Sequence, residues 1–189
     1  MFAITPRLLL RPGWPEDAKA VHAAIADEVI VRNLARAPWP YSRKDAEQFL
    51  HLPILSHSPR WLIFQLGVAQ APLVGCIGID RMDDGEIELG YWIARDHWGN
   101  GYATEAGKAV LANAKSLGYQ RIEACHFVDN PASGKVLRKL GFRPTGHIVS
   151  RHSVARGANV DTATFEIELS SLDQPEGDPE SDVMRRLAA

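Results

Sequence analysis

Cysteine is scarce in this 189-residue chain: Cys76 and Cys125 are the only two, and no Cys-x-x-Cys or histidine-rich cluster accompanies them. Two thiols cannot build a disulfide framework and supply no zinc ligand set, so a reducing compartment and the absence of a metal are expected. Charge of one sign is also lacking, since 21 Lys and Arg against 23 Asp and Glu leave −2 with histidine neutral. A nucleic-acid binder carries a basic excess or a Lys/Arg run, and neither is present. No apolar stretch approaches the roughly 18 residues that span a bilayer. Leu8-Leu9-Leu10, between Arg7 and Arg11, is too short and wrongly flanked for a secretory leader. A soluble, cytoplasmic protein with no nucleic-acid and no membrane partner is the expectation. What the chain does have is 46% apolar residues, enough at this length to bury roughly 70% of the surface its unfolded form exposes. One domain over residues 1–171 is expected, with a polar, Pro- and acid-rich tail over 172–189.

Periodicity divides the chain into short strands with helices inserted. Strands are expected over 5–12, 61–68, 73–81, 86–94, 121–128, 142–148 and 162–169. Pro15 to Ala26 reads as a helix with Ala18, Val21 and Ile25 on one face, and Ser42 caps a second helix to Leu52 with Asp45 three residues on. Asp83-Asp84-Gly85 signals a tight hairpin, because Asp-Gly readily takes the positive φ that such turns need. A third helix follows Gly99-Asn100-Gly101 and stops at Gly118. Asn130 and Pro131 cap and open a fourth, closed by Gly141. On the 86–94 strand, Glu86 and Glu88 share one face.

The chemistry concentrates in two segments. The first runs from Gly90 through Ile93, Ala94 and Trp98-Gly99-Asn100-Gly101-Tyr102-Ala103-Thr104 to Ala106: a strand, a glycine turn and a helix start. Glycines let backbone approach a ligand, and the free N–H groups of a helix N-terminus bind phosphate oxygens, so this is a candidate pyrophosphate cradle; alone, Gly-x-Gly is weak evidence and more often marks a merely tight turn. Neither the ATPase phosphate loop nor the dinucleotide fingerprint fits it. The second segment is Asn130-Pro-Ala-Ser133-Gly-Lys135 through Phe142. A well-capped helix accounts for Asn130, Pro131 and Gly141 but leaves Ser133 and Lys135 unexplained.

Together, in this order and about thirty residues apart, these segments resemble the GNAT superfamily of acetyl-CoA-dependent N-acetyltransferases. Thr5-Pro-Arg-Leu-Leu-Leu-Arg11, Glu88-Leu-Gly-Tyr-Trp-Ile93, Trp98 to Ala106 and Asn130-Pro-Ala-Ser133 followed by Leu140-Gly-Phe142 are similar to the RimJ/RimL-like branch, the ribosomal-protein alanine N-acetyltransferases. The resemblance covers residues 5 to 170. It implies an α/β (α+β) fold: a mixed, mostly antiparallel sheet splayed at its centre, with helices on both faces. It implies acetyl-CoA as cosubstrate, with Trp98 through Thr104 on the pyrophosphate, Ile93 and Ala94 along the pantetheine through backbone bonds, and Asn130 and Ser133 near its arm and sulfur. Lys135 and Arg138 would meet the outer phosphates. The family's loop begins with Gln or Arg where Asp96 stands here; backbone N–H groups do most of the holding, so binding is expected to survive.

The implied reaction is direct attack of a neutral amine on the thioester, with Glu88 or Glu86 as base and Ser133 as the hydroxyl serving the leaving thiolate, since no tyrosine stands between Asn130 and Phe142. Solvated strand carboxylates and a third helix residue are the plain alternatives for these three. Cys125 and His126 are adjacent and therefore point to opposite faces, which rules against a nucleophile-base pair. A protein N-terminal amine is the first acceptor class implied, with a small-molecule amine or a non-catalytic acyl-CoA-binding module as alternatives; a homodimer is compatible with the family. The 151–159 segment, with Arg151, His152 and Arg156, is expected as an acceptor-side loop whose positive rim suits an acidic acceptor.

Overall fold

The computed structural model describes residues 2–53, 58–82 and 85–170. The tail over 172–189 and the Asp83-Asp84 corner of the hairpin lie outside them. Eight strands form one sheet in the order β1-β2-β3-β4-β5-β6-β8-β7. Their ranges are Ala3–Ile4, Leu8–Arg11, Arg60–Gln65, Leu73–Arg81, Ile87–Ile93, Arg121–Phe127, Arg143–Ser153 and Ala158–Glu168 for β1 to β8. Helices α1 (Ala18–Ile25), α2 (Glu28–Val31), α3 (Arg43–His51), α4 (Tyr102–Ser116) and α5 (Pro131–Lys139) cover the two faces. Among these helices none is long and apolar enough to cross a membrane.

Local chemistry explains most boundaries. Ser42 and Asp45 form the reciprocal cap of α3, and Asn130 accepts from the Ser133 amide at the start of α5. The first strand expected over 5–12 is confined to Leu8–Arg11, and a short unforeseen strand, Ala3–Ile4, precedes it: Pro6 has no N–H for a ladder, and the Thr5 hydroxyl takes the Leu8 amide at 3.0 Å, closing a turn between them. Helix α2 went unforeseen because four residues carry no helical period; Asp27 caps it through the Val29 amide at 2.9 Å. The closing strands are longer than expected. Residues 151–159 are the end of the β7–β8 hairpin rather than a loop, and Arg151 pairs with Val160 inside it. Strand β7 is exposed along nearly its whole length, so it shows no alternation to read, and pairing with β8 alone makes it a strand.

Two cores flank the sheet. Ile87, Leu89 and Ile93 of β5 face α4 and α5 with Ala106, Val110 and Leu137, while Trp92 faces α1 and α3 with Val21, Ile25 and Cys76. Every neighbouring strand pair is antiparallel except β5 and β6, which α4 connects as a parallel crossover. That parallel contact holds only two pairs, Glu88 with Glu123 and Leu89 with Ala124, whereas β4 and β5 stay paired from Arg81–Ile87 to Gly75–Ile93. The sheet therefore opens between Gly90–Ile93 and Cys125–Phe127. Close approach on the β4 side is strict, since a side-chain carbon on Gly75 would stand 2.3 Å from the Trp92 carbonyl oxygen.

Beyond the opening, Arg156 fastens the β7–β8 hairpin to the rest of the chain. Its guanidinium donates to both oxygens of Asp129 at 2.8 and 3.0 Å and to the Arg32 carbonyl at 2.7 Å, and it lies over the Phe127 ring. These hydrogen bonds from Arg156, despite some burial, hold the Asp129 carboxyl below the usual carboxylate range. Its stabilising effect is complete above the ordinary carboxylate pKa of about 4 and is lost as pH falls through the lowered folded-state value. Acid titration followed by circular dichroism should accordingly show a shallower loss of stability below about pH 4 in Asp129→Asn than in the parent, and an unchanged slope would refute the role of this pair. Gly75→Ala should cost about 1–3 kcal/mol in chemical denaturation, because backbone rather than a side-chain tip must move.

Candidate active site

The opening between β5 and β6 is lined by unpaired backbone. The Ala94 amide is given to the Val74 carbonyl at 2.9 Å, and amides alternate along a strand, so those of Tyr91 and Ile93 turn away from β4 into the gap. The Ile93 carbonyl is already taken by the Trp98 indole N–H at 2.7 Å. Of the two residues expected along a pantetheine arm, Ile93 thus offers its amide, whereas the Ala94 amide is turned to the other side of the strand.

Where β5 ends, the chain makes a tight loop into α4. Gly99 and Gly101 have φ of +77° and +78°, a region that costs other residues about 1–2 kcal/mol. The Asn100 side chain braces the loop by donating to the His97 and Trp98 carbonyls at 3.2 and 3.3 Å. Glu105 gives its amide to the Gly101 carbonyl, so the amides of Tyr102, Ala103 and Thr104 precede the helical ladder and point out of the helix end. Nothing lies within 4 Å of the space a Gly99 side chain would occupy. Arg7 stands beside this end: it pairs with Glu105 at 2.7 Å and stacks on Tyr102. Burial raises the Glu105 carboxyl, but bonds from the Thr5 hydroxyl and from Arg7 outweigh it and hold it below the usual range. A bare helix N-terminus, a glycine-made space and an adjoining guanidinium together fit a diphosphate. Arg7 was not marked as a site residue from the sequence; only the fold brings β2 against α4.

At the other end of the gap, on the α4/α5 face, the Tyr91 hydroxyl meets the Ser133 hydroxyl at 2.7 Å and the Ser133 carbonyl at 3.3 Å. Burial pushes the Tyr91 phenol up to about 12, against a smaller lowering by Ser133. Ser133 itself sits in the first turn of α5, its amide held by the Asn130 carbonyl and side chain. Lys135 lies exposed on the same helix, while Arg138 turns back over the Phe165 ring.

The opposite face carries the carboxylates. Glu88 stands in the stretch of β5 paired with β6, one residue before that pairing ends at Leu89, and its carboxylate pairs with Arg151 at 2.5 Å; the Cys125 sulfur lies 3.7 Å from its other oxygen. Burial, and then the Glu88 charge, push the Cys125 thiol up to about 12, which leaves it neutral and unreactive at ordinary pH. His126 points the other way, against Phe165 and the Cα of Gly134, as strand alternation requires. Glu86 precedes β5 and is exposed, two residues before Glu88 on the side away from the gap. Next to Glu88, Gly90 is exposed, has no positive φ, and has open space where a side chain would be. Farther along, a groove of about 400 Å³ runs between α1 and the turn at residues 94–97. The expected positive rim is corrected: Arg151 and Arg156 are occupied by Glu88 and Asp129. What crosses the strands instead is a row of acids, Asp80, Glu88, Glu123 and Glu166, each directly opposite the next.

The comparisons with known proteins agree with this architecture. The family model described as an acetyltransferase (GNAT) domain matches residues 7–143. An uncharacterized N-acetyltransferase of Bacillus subtilis, YoaA, is 31% identical over 177 residues, covering 88% of this chain and 97% of that protein. Among solved structures, RimL, a ribosomal L7/L12 alpha-N-protein acetyltransferase in complex with coenzyme A, superposes with a TM-score of 0.73 at 20% identity, over 89% of this chain and 98% of that one. Spermidine N-acetyltransferase from Vibrio cholerae, in complex with CoA and spermine, gives 0.68 at 22% identity over 88% and 98%. With the open β5–β6 junction and the bare end of α4 already in place, the match across most of its length makes this chain a member of the GNAT acetyltransferase family.

Proposed function

We propose that the protein transfers acetyl from acetyl-CoA to a primary amine by direct attack within a ternary complex. The observation that carries this reading is the β5–β6 gap itself, which has an anion cradle at one end, a carboxylate on one face and a hydroxyl on the other. Acetyl-CoA supplies the activated acetyl group as a thioester. The amides of Tyr102, Ala103 and Thr104, with Gly99 and Gly101 giving room and Asn100 and Trp98 bracing the turn, hold its diphosphate; the Ile93 amide faces the arm and Lys135 the outer phosphate. An amine of pKa about 8 to 10.4 is mostly protonated at pH 7. Glu88 takes the proton, directly or through a water, with Arg151 orienting its carboxylate. Glu86, just before the start of β5, is the second candidate for this role. The amine enters over Gly90 on the Glu88 face, while Ser133 and Asn130 serve the sulfur side.

An N-terminal amine of a protein is the acceptor class we favour. The groove between α1 and residues 94–97 gives a following peptide somewhere to lie, and the RimL relative is named for this acceptor class. A second reading is a cationic small-molecule amine, the acceptor class for which the Vibrio cholerae spermidine N-acetyltransferase is named. A non-catalytic acyl-CoA-binding module would keep the cradle without using Glu88.

Calorimetry should show acetyl-CoA binding at about micromolar affinity with no competition by ATP or NAD. Gly99→Ala should weaken that binding about tenfold, through strain at a positive φ and loss of ligand space. Glu88→Gln should lower kcat about 10²-fold or more with acetyl-CoA affinity unchanged, measured as thiol release against an amine and N-terminal peptide panel. Equal turnover in Glu88→Gln would remove the base from the mechanism, and no turnover by the parent on any amine would favour the binding module. Gly90→Val should keep stability and acetyl-CoA binding while raising the KM of the acceptor.

A further inference from the structure

Ser133 does not use its hydroxyl as a residue at its position ordinarily does. Serine in a helix usually returns its hydroxyl to a backbone carbonyl within its own turn. Here the cap is already made by Asn130, and the Ser133 hydroxyl is instead engaged 42 residues away, by Tyr91 at 2.7 Å. Tyr91 stands on the stretch of β5 that has just parted from β6, and its ring packs against the α4/α5 core. The two hydroxyls therefore meet across the mouth of the gap, one from each side.

Either hydroxyl can donate in this pair, and the Ser133 carbonyl lies 3.3 Å from the Tyr91 oxygen; the phenol is the stronger acid and the better donor, which favours the arrangement in which Tyr91 donates and the Ser133 oxygen accepts. Burial, which pushes the phenol up to about 12, keeps that proton in place across the working pH range. A serine oxygen that accepts from one side has its own proton turned elsewhere. The Ser133 proton can then turn into the gap that Tyr91 and Ser133 flank, where the thioester of the proposed reaction would sit.

We infer that Tyr91 is a positioning residue, which holds the Ser133 hydroxyl with its proton turned toward the sulfur leaving the thioester. This rests on the acetyl-CoA reading above. As the new C–N bond forms and the C–S bond breaks, the C–S electron pair goes to sulfur. The amine's proton goes to Glu88 or water. Ser133 donates a hydrogen bond to the thiolate and keeps its proton, and Tyr91 neither gains nor loses one. The same arrangement stabilises the thiolate of free CoA in the site, which gives a readout independent of the acceptor.

The test is a pH titration of the ultraviolet thiolate band of CoA bound to the full-length protein, with bound S-methyl-CoA as the blank, in the parent, Tyr91→Phe, Ser133→Ala and the double variant. Tyr91→Phe keeps the ring and its packing, and calorimetry with CoA reports that each variant retains the site. The expected result is CoA affinity within about threefold of the parent, with the thiol midpoint raised by about one pH unit in each single variant, the size of one lost hydrogen bond to a charged group. The double variant should titrate like Ser133→Ala, since Tyr91 acts only through Ser133. A Tyr91→Phe midpoint equal to that of the parent overturns the inference, as does an additive double variant. Failure of the parent to bind CoA at all overturns the acetyl-CoA reading first, and this inference with it.

Discussion

Two parallel strands that pair over only two residues set the terms for everything else in this molecule. A β-strand that leaves its ladder exposes amides and carbonyls, and buried backbone of that kind must find partners. On the β4 side the demand is met in full, with pairing continuous to Gly75–Ile93. On the β6 side it is not, and the unpaired edge is long enough to accept an extended ligand as though it were a strand. The cores on both faces hold the junction apart: Ile87 and Leu89 anchor β5 to α4 and α5, and Trp92 anchors it to α1 and α3. The gap is therefore a packed feature of the sheet.

Polar groups around the gap are sorted by strand alternation. Odd positions of β5 bring Tyr91 to the helix side, where α5 presents Ser133; even positions bring Glu88 and Gly90 to the other side, where β7 presents Arg151. An amine and a thioester approaching from opposite faces thus meet a carboxylate and a hydroxyl separated by the sheet itself. Like charges directly opposite one another destabilise a sheet, and the row Asp80, Glu88, Glu123, Glu166 is a case of it. Arg36, Arg151 and Arg121 each bridge into that row at 3.0, 2.5 and 2.7 Å. Of the two arginines that looked from the sequence like a positive rim, Arg151 is absorbed by this row and Arg156 by Asp129.

Distant parts of the chain are brought to bear on the same centre by a few charged contacts. Arg156 joins the β7–β8 hairpin to the Arg32 backbone and to Asp129, the residue immediately before the cap of α5. Arg7 and Thr5 join the first turn of the chain to Glu105 in the first turn of α4. Both sides of the site therefore depend on loops far away in sequence, and each is held by a carboxylate kept ionised through hydrogen bonding.

Much of this was legible from the residues alone, because it is local. Ser42 with Asp45, Asn130 with Pro131, and the glycines after α4 and α5 mark helix ends through backbone chemistry that operates within a few residues. The alternation that puts Glu88 and Tyr91 on opposite faces of β5, and Cys125 and His126 on opposite faces of β6, is likewise a property of any strand. The glycine loop before α4 announces an anion site for the same reason. What tertiary structure alone decided are contacts between residues that no local rule relates: Tyr91 with Ser133, Arg151 with Glu88, Arg7 with Glu105. The edge strand β7 belongs with them, since its residues are exposed and carry no period, and only the hydrogen bonds of β8 make it a strand. Side-chain direction is set by the nearest few bonds of the chain, whereas the partner it meets is set by how two cores pack on one opened sheet.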